Sequence, residues 1–232
     1  MSTRTFATSI VLVAIAWFHL FSGATELSRS LVTHSFWPGI SVVSVLMLLF
    51  VGTQRRNTLG TGWWRAPAVP SDIVPADNVP SDTERGRLVL GGLVHGVLWA
   101  TMSVVGLIVM RTFVPWLHDE AERIFSLSAQ VPVWMSSVLL VLLIAPAEEL
   151  FWRGYVLAFL SQRVGAKHAP WFMAALDALV HTATGNILLV GAAGFFGLRW
   201  ARLRERTGYL LPCVISHAAW DIIVFVIYPR VA

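Results

Sequence analysis

The chain has 232 residues, of which 56% are hydrophobic and only 13% charged, with a mean hydropathy of +0.68. A soluble domain carries about a quarter charged residues, so this chain has too little polar surface to face water and the bilayer must be its solvent. The basic balance, with a pI near 10.0, does not indicate nucleic acid, because no Lys/Arg cluster sits on a water-soluble module. The expectation is an all-α, polytopic transmembrane helix bundle of about seven spans, bounded by six to eight.

Taken in order, the apolar runs cover about 6–24, 37–53, 88–109, 133–160, 170–182, 187–201 and 209–228. Arg4 ahead of the first run, with Ser22-Gly-Ala-Thr behind it, could pass for a signal peptide. The many similar runs that follow favour an uncleaved first span. The fourth run contains Pro146, which removes a backbone donor and predicts a kink. The fifth is short, and 182–186 with Gly185 reads as a tight turn into the sixth. The long connector 54–86 is rich in Pro, Asp and Ser and reads as a mobile cytoplasmic loop, with Trp63 and Trp64 as interfacial anchors. A second connector, 117–130, reads as a short amphipathic helix on the outer surface. Cys213, the single cysteine, excludes an intrachain disulfide and reads as packing.

Arginine placement supports the span count. With the N-terminus cytoplasmic, the inner loops hold Arg4, Arg55, Arg56, Arg65, Arg85, Arg87, Arg163, Lys167, Arg199, Arg202, Arg204 and Arg206. The outer side keeps Arg29, Arg111, Arg123 and Arg230. That bias obeys the positive-inside rule. The chain divides into N-terminal spans, 1–131, and a motif-bearing half, 132–232, within one integral domain. The expected location is a bacterial plasma (inner) membrane, N-terminus inside.

Three charged groups stand in apolar context: Glu148-Glu149 with Arg153, Asp177 with His181, and His217 with Asp221. Each charge near the bilayer centre costs about 2.5–3.5 kcal/mol, so together they require mutual pairing or a function. Glu149 and Arg153 are four apart and can pair on one helix face. Glu148 is rotated by about 100° from Glu149 and is left without a local partner, as a general base requires. Asp177 and His181, and likewise His217 and Asp221, are four apart, so each carboxylate can fix its histidine's orientation. His34, His118 and His168 fall in loops or span ends and read as solvated. His19 and His95 read as packing or hydrogen-bonding residues more readily than as site residues.

Glu148-Glu149-x-x-x-Arg153-Gly154, a histidine about 30 residues on, and His217-x-x-x-Asp221 resemble the CPBP family of intramembrane proteases. This is the CAAX-protease and bacteriocin-processing (Abi) family, which includes the Rce1-type prenyl-protein endopeptidase. Gly194-Phe-Phe-Gly197, Arg206-Thr-Gly-Tyr-Leu-Leu-Pro212 and Ile215-Ser-His217 resemble its last helices, and the likeness covers 133–226. The resemblance implies that Glu148 activates the attacking water and His181 holds it. Glu149 and Arg153 then shape the site, and His217 and Asp221 occupy the motif that stabilises the oxyanion or binds the polar centre. Two positions depart from the pattern. Asp177 stands where an aromatic is usual, and Asp221 where Asn is common.

The expected cofactor is none. The alternative is a divalent metal such as zinc on Glu148, His181, His217 and Asp221, although no HExxH pair supports a zincin geometry. The expected partners are the lipid bilayer and a membrane-associated protein or peptide substrate, with no nucleic acid. A CAAX tail, a precursor peptide and a C-terminal sorting signal remain open as substrates. Two other functions also remain: a proton-coupled transporter, and a non-catalytic family member acting as scaffold or immunity protein.

Overall fold

The computed structural model describes residues 3–21, 26–58 and 80–231. Among the described residues there are eight helices and no strand. They are α1 Thr3–Phe21, α2 Glu26–Thr58, α3 Asp82–Phe113 and α4 Pro115–Ser128. After these come α5 Val133–Val164, α6 Ala169–His181, α7 Ile187–Thr207 and α8 Leu211–Val231. Each apolar run of the sequence lies within one of them to within two residues at its described ends, and 22–24 of the first run lie outside the described part.

Four stretches, Phe36–Thr53, Asp82–Phe113, Val133–Val164 and Leu211–Val231, are long and apolar enough to cross a membrane, and Thr3–Ala16 is a shorter apolar helix. The chain is therefore an integral membrane protein. The 13 residues of α6 rise about 20 Å, short of the roughly 30 Å hydrocarbon core. In α7 the second half carries Arg199, Arg202, Arg204 and Arg206, which explains why its 21 residues fall outside the four.

Helix ends follow local chemistry. The Ser81 hydroxyl accepts the Glu84 N–H at 3.3 Å while the Glu84 carboxylate accepts the Ser81 N–H at 2.8 Å, a reciprocal cap. This cap starts α3 earlier than the apolar run indicated, and α2 continues to Thr58. The expected 54–86 loop is therefore shorter at both ends. Residues 59–79, with Trp63 and Trp64, lie outside the described part. Asn186 caps α7 by accepting the Leu188 and Leu189 N–H groups, and Gly185 supplies the left-handed turn before it (φ 67°).

The helix α5 accommodates Pro146 by widening rather than by breaking. The Ala145 N–H bonds the Leu140 carbonyl five residues back, and the Leu157 N–H does the same to Trp152. Such π turns frequently mark functional sites, and here they flank Glu148 and Glu149. A third π segment, Ile222–Ile227, follows Asp221 directly.

One face of α3, with Leu90, Val94, Leu98 and Met102, is exposed, as a lipid-facing surface requires. The opposite face carries Gly92, Gly96 and Ala100, all buried, spaced four apart. A Cβ at Gly96 would lie 2.5 Å from the Ser216 carbonyl oxygen, and one at Gly92 2.7 Å from that of Pro212. These small residues let α3 and α8 approach closely.

The expected amphipathic helix exists as α4, with one face packed on the bundle and the other, including Trp116, Glu122 and Arg123, exposed. Ala121 and Phe125 are buried, the Trp37 indole donates to the Leu127 carbonyl, and the Asn186 amide donates to Glu120. The interior forms two apolar clusters. One is built mainly from α2, α5 and α6 and centres on Phe151, Trp152 and Met173. The other joins α3, α4, α7 and α8 and includes Phe196, Trp200 and Trp220. The charged groups of α5, α6 and α8 sit between these clusters.

Candidate active site

Arg153 is almost fully buried and its guanidinium is shared. Its Nη1 lies 3.1 Å from Glu149 Oε1, and its Nη2 lies 3.5 Å from Asp177 Oδ2 on α6. The first contact is the intrahelical pair expected from the spacing. The second, which the sequence did not indicate, ties α5 to α6. Gly197 makes room for it, since a Cβ there would stand 3.2 Å from Asp177 Oδ2 and 3.5 Å from Arg153 Nη2.

Asp177 also serves His181. The His181 Nδ1 lies 2.9 Å from the Asp177 carbonyl oxygen and 3.2 Å from its Oδ1. The carbonyl accepts the Nδ1–H and orients the ring, with the carboxylate beside it at ion-pair distance. The expected pairing within α6 is present.

His217 departs from the expectation. Its Nδ1–H donates to Glu149 Oε1 at 2.8 Å, across two helices, whereas Asp221 Oδ1 is 3.6 Å from Nε2. The carboxylate that hydrogen-bonds His217 is therefore Glu149, and Asp221 stands beyond hydrogen-bond reach. The helical spacing of His217 and Asp221 makes them neighbours, but the packing of α8 on α5 brings in a closer acceptor. Glu149, with no exposed surface, thus joins Arg153 to His217. The His217 ring also stacks on Trp200, with centroids 4.0 Å apart.

Glu148 is the exception the sequence indicated. Its ion-pair contact among the described residues is with His217 Nε2 at 3.9 Å, and its side chain retains 15% exposure while that of Glu149 has none. Glu148, Arg153, Asp177, His181, His217 and Asp221 all line one cavity of about 140 Å³, and Glu149 stands behind its wall. Much of the remaining lining is apolar. Phe36, Trp37 and Ile40 of α2 and Leu127 and Ser128 of α4 contribute to it, from the half of the chain in which no site residue was expected. The first three have the sequence context of ordinary span residues and the last two that of a connector, so only the packing identifies them.

The other histidines divide. His95 is part of a hydrogen-bonded network with Trp99 and Ser216 and does not line the cavity. His118 belongs to α4, 3.7 Å from Glu122, rather than to a solvated loop, and His168 is exposed just ahead of α6. The side chains of His19 and His34 lie outside the described part. Cys213 is buried, with Sγ 3.3 Å from the Trp200 carbonyl oxygen, as a packing residue. Among the described residues, no group of three or more His, Cys, Asp or Glu side chains is disposed to hold one metal ion.

This arrangement offers an unshared carboxylate, two oriented imidazoles and a fixed cation around one cavity inside an apolar bundle. No curated protein and no solved structure matches the chain. Residues 130–223, which contain every motif residue above, match the family model described as type II CAAX prenyl endopeptidase Rce1-like, so this segment is similar to that family of CAAX-type membrane endopeptidases.

Proposed function

We propose that the protein hydrolyses a peptide bond of a membrane-associated protein or peptide by a water activated at Glu148, without a metal. The observation that carries this reading is the unequal fate of two adjacent glutamates. Glu149 is consumed by Arg153 and His217, while Glu148 faces the cavity with no hydrogen-bond partner among the described residues.

In this mechanism Glu148 takes a proton from water as the oxygen adds to the scissile carbonyl carbon. His181, oriented through Asp177, holds the water. The negative charge that develops on the carbonyl oxygen requires a donor. His217 has Nδ1 committed to Glu149, so its Nε2 is the atom that can supply one. Glu148 then returns the proton to the departing amine as the C–N bond breaks. Arg153 and Glu149 hold the geometry. Asp221 Oδ1 stands 3.6 Å from Nε2, and its charge opposes an oxyanion nearby.

The family supports membrane-associated substrates, and the motif half 132–232 is the unit to which we assign the chemistry. We place the protein in a bacterial plasma membrane with its N-terminus cytoplasmic; the arginine distribution supports the orientation. The test is Glu148→Gln in cells and in purified form. Comparative proteomics of membrane-protein termini should show cleavages present with the wild-type protein and absent with the variant, with folding retained. Full biological activity in Glu148→Gln would overturn the reading.

A further inference from the structure

A polar network lies one layer behind His217, and half of it comes from α3, outside the segment 130–223. His95 Nδ1 lies 2.8 Å from Ser216 Oγ, the Trp99 indole donates to His95 Nε2 at 3.2 Å, and the Trp200 indole donates to the same Ser216 Oγ at 3.0 Å. An indole N–H only donates, so His95 Nε2 is an acceptor and carries no proton. The neutral ring therefore bears its proton on Nδ1 and donates it to Ser216. Ser216 Oγ thus accepts from α3 and α7 at once.

The consequence falls on Trp200. Its indole, pinned at Nε1, lies against the His217 ring at a 4.0 Å centroid separation and 22° between planes, and the Arg153 guanidinium carbon is 5.1 Å from its centroid. A hydrogen bond at Nδ1 alone fixes one point of an imidazole and lets the ring rock about it. A stacked plane removes that freedom. The close approach of α3 at Gly92 and Gly96 brings His95 within reach of Ser216.

We propose that His95, acting through Ser216 and Trp200, is a positioning residue that sets the plane of His217. The N-terminal half then supplies part of the active-site geometry as well as membrane spans. This deepens the endopeptidase reading, but its primary test does not depend on cleavage.

The test is heteronuclear NMR of the full chain in nanodiscs with ¹⁵N-labelled His and Trp, the Trp200 and His217 signals being assigned from Trp200→Phe and His217→Gln. His95→Asn can place a donor near the Nδ1 position, whereas His95→Gln places its amide near Nε2 and loses the Ser216 bond. The expected result is that His95→Gln and Ser216→Ala shift both the Trp200 indole and the His217 ring signals, and that His95→Asn restores them toward the wild-type positions. Ser216→Ala removes a single oxygen, which keeps the test open if a His95 variant misfolds. Unmoved His217 signals in His95→Gln and Ser216→Ala would overturn the proposal. Turnover should also fall about tenfold in His95→Gln. Signal shifts in a protein whose wild type shows no cleavage would sustain the positioning role and remove the endopeptidase reading instead.

Discussion

Glu149 Oε1 accepts the His217 Nδ1–H at 2.8 Å while the Arg153 guanidinium lies 3.1 Å from the same oxygen. One buried carboxylate oxygen therefore joins α5 to α8 and neutralises the central cation. This separates the two glutamates by function, and their substitution should separate them by phenotype.

Glu149→Gln should unfold at markedly lower temperature. Removing one member of a buried, hydrogen-bonded ion pair costs about 3–5 kcal/mol, because the remaining charge is left buried. Glu148→Gln, at a side chain with no hydrogen-bond partner among the described residues, should melt close to wild type and lose at least about a hundredfold in cleavage rate. Thermal unfolding in detergent beside a cleavage assay reads both. Equal melting temperatures for the two variants would contradict the division of roles.

Asp221→Asn should raise turnover about threefold to tenfold. The substitution removes a negative charge 3.6 Å from His217 Nε2, where the proposed oxyanion develops, and offers an amide donor instead. A fall of tenfold or more would mean that the carboxylate itself takes part in the chemistry.

Gly96→Ala should destabilise the bundle by about 1–3 kcal/mol. Its Cβ would stand 2.5 Å from the Ser216 carbonyl oxygen, a backbone atom that cannot swing aside. Gly91→Ala, where nothing lies within 4 Å, is the control. Thermal unfolding of both variants measures the difference, and matching losses would argue against close α3–α8 packing.

Cleavage by purified protein should survive strong chelators, because the proposed base and donors are all side chains. Complete loss of activity, restored by zinc, would transfer the mechanism to the metal-bound alternative on Glu148, His181, His217 and Asp221.

Much of this was legible in the order of residues. Apolarity identified the membrane, because a chain with 13% charged residues cannot present a hydrated surface. Helical spacing placed Glu149 beside Arg153 and Asp177 beside His181, since contacts four residues apart follow from the 3.6-residue turn alone. The same rule left Glu148 unpaired. The local rule misled at His217, whose hydrogen bond goes to Glu149, 68 positions away. The Arg153–Asp177 contact, the cavity wall from Phe36 and Trp37, and the His95–Ser216–Trp200 chain likewise join different helices. Such contacts depend on how the helices dock, which is set by small residues such as Gly96 and Gly197 and by the π turns of α5. Sequence periodicity determines what shares a helix face, and it carries no information about which faces meet. The sequence by itself therefore determined which residues are out of place in a membrane. Only the tertiary structure decided which of them face one another, because that depends on packing distances between helices.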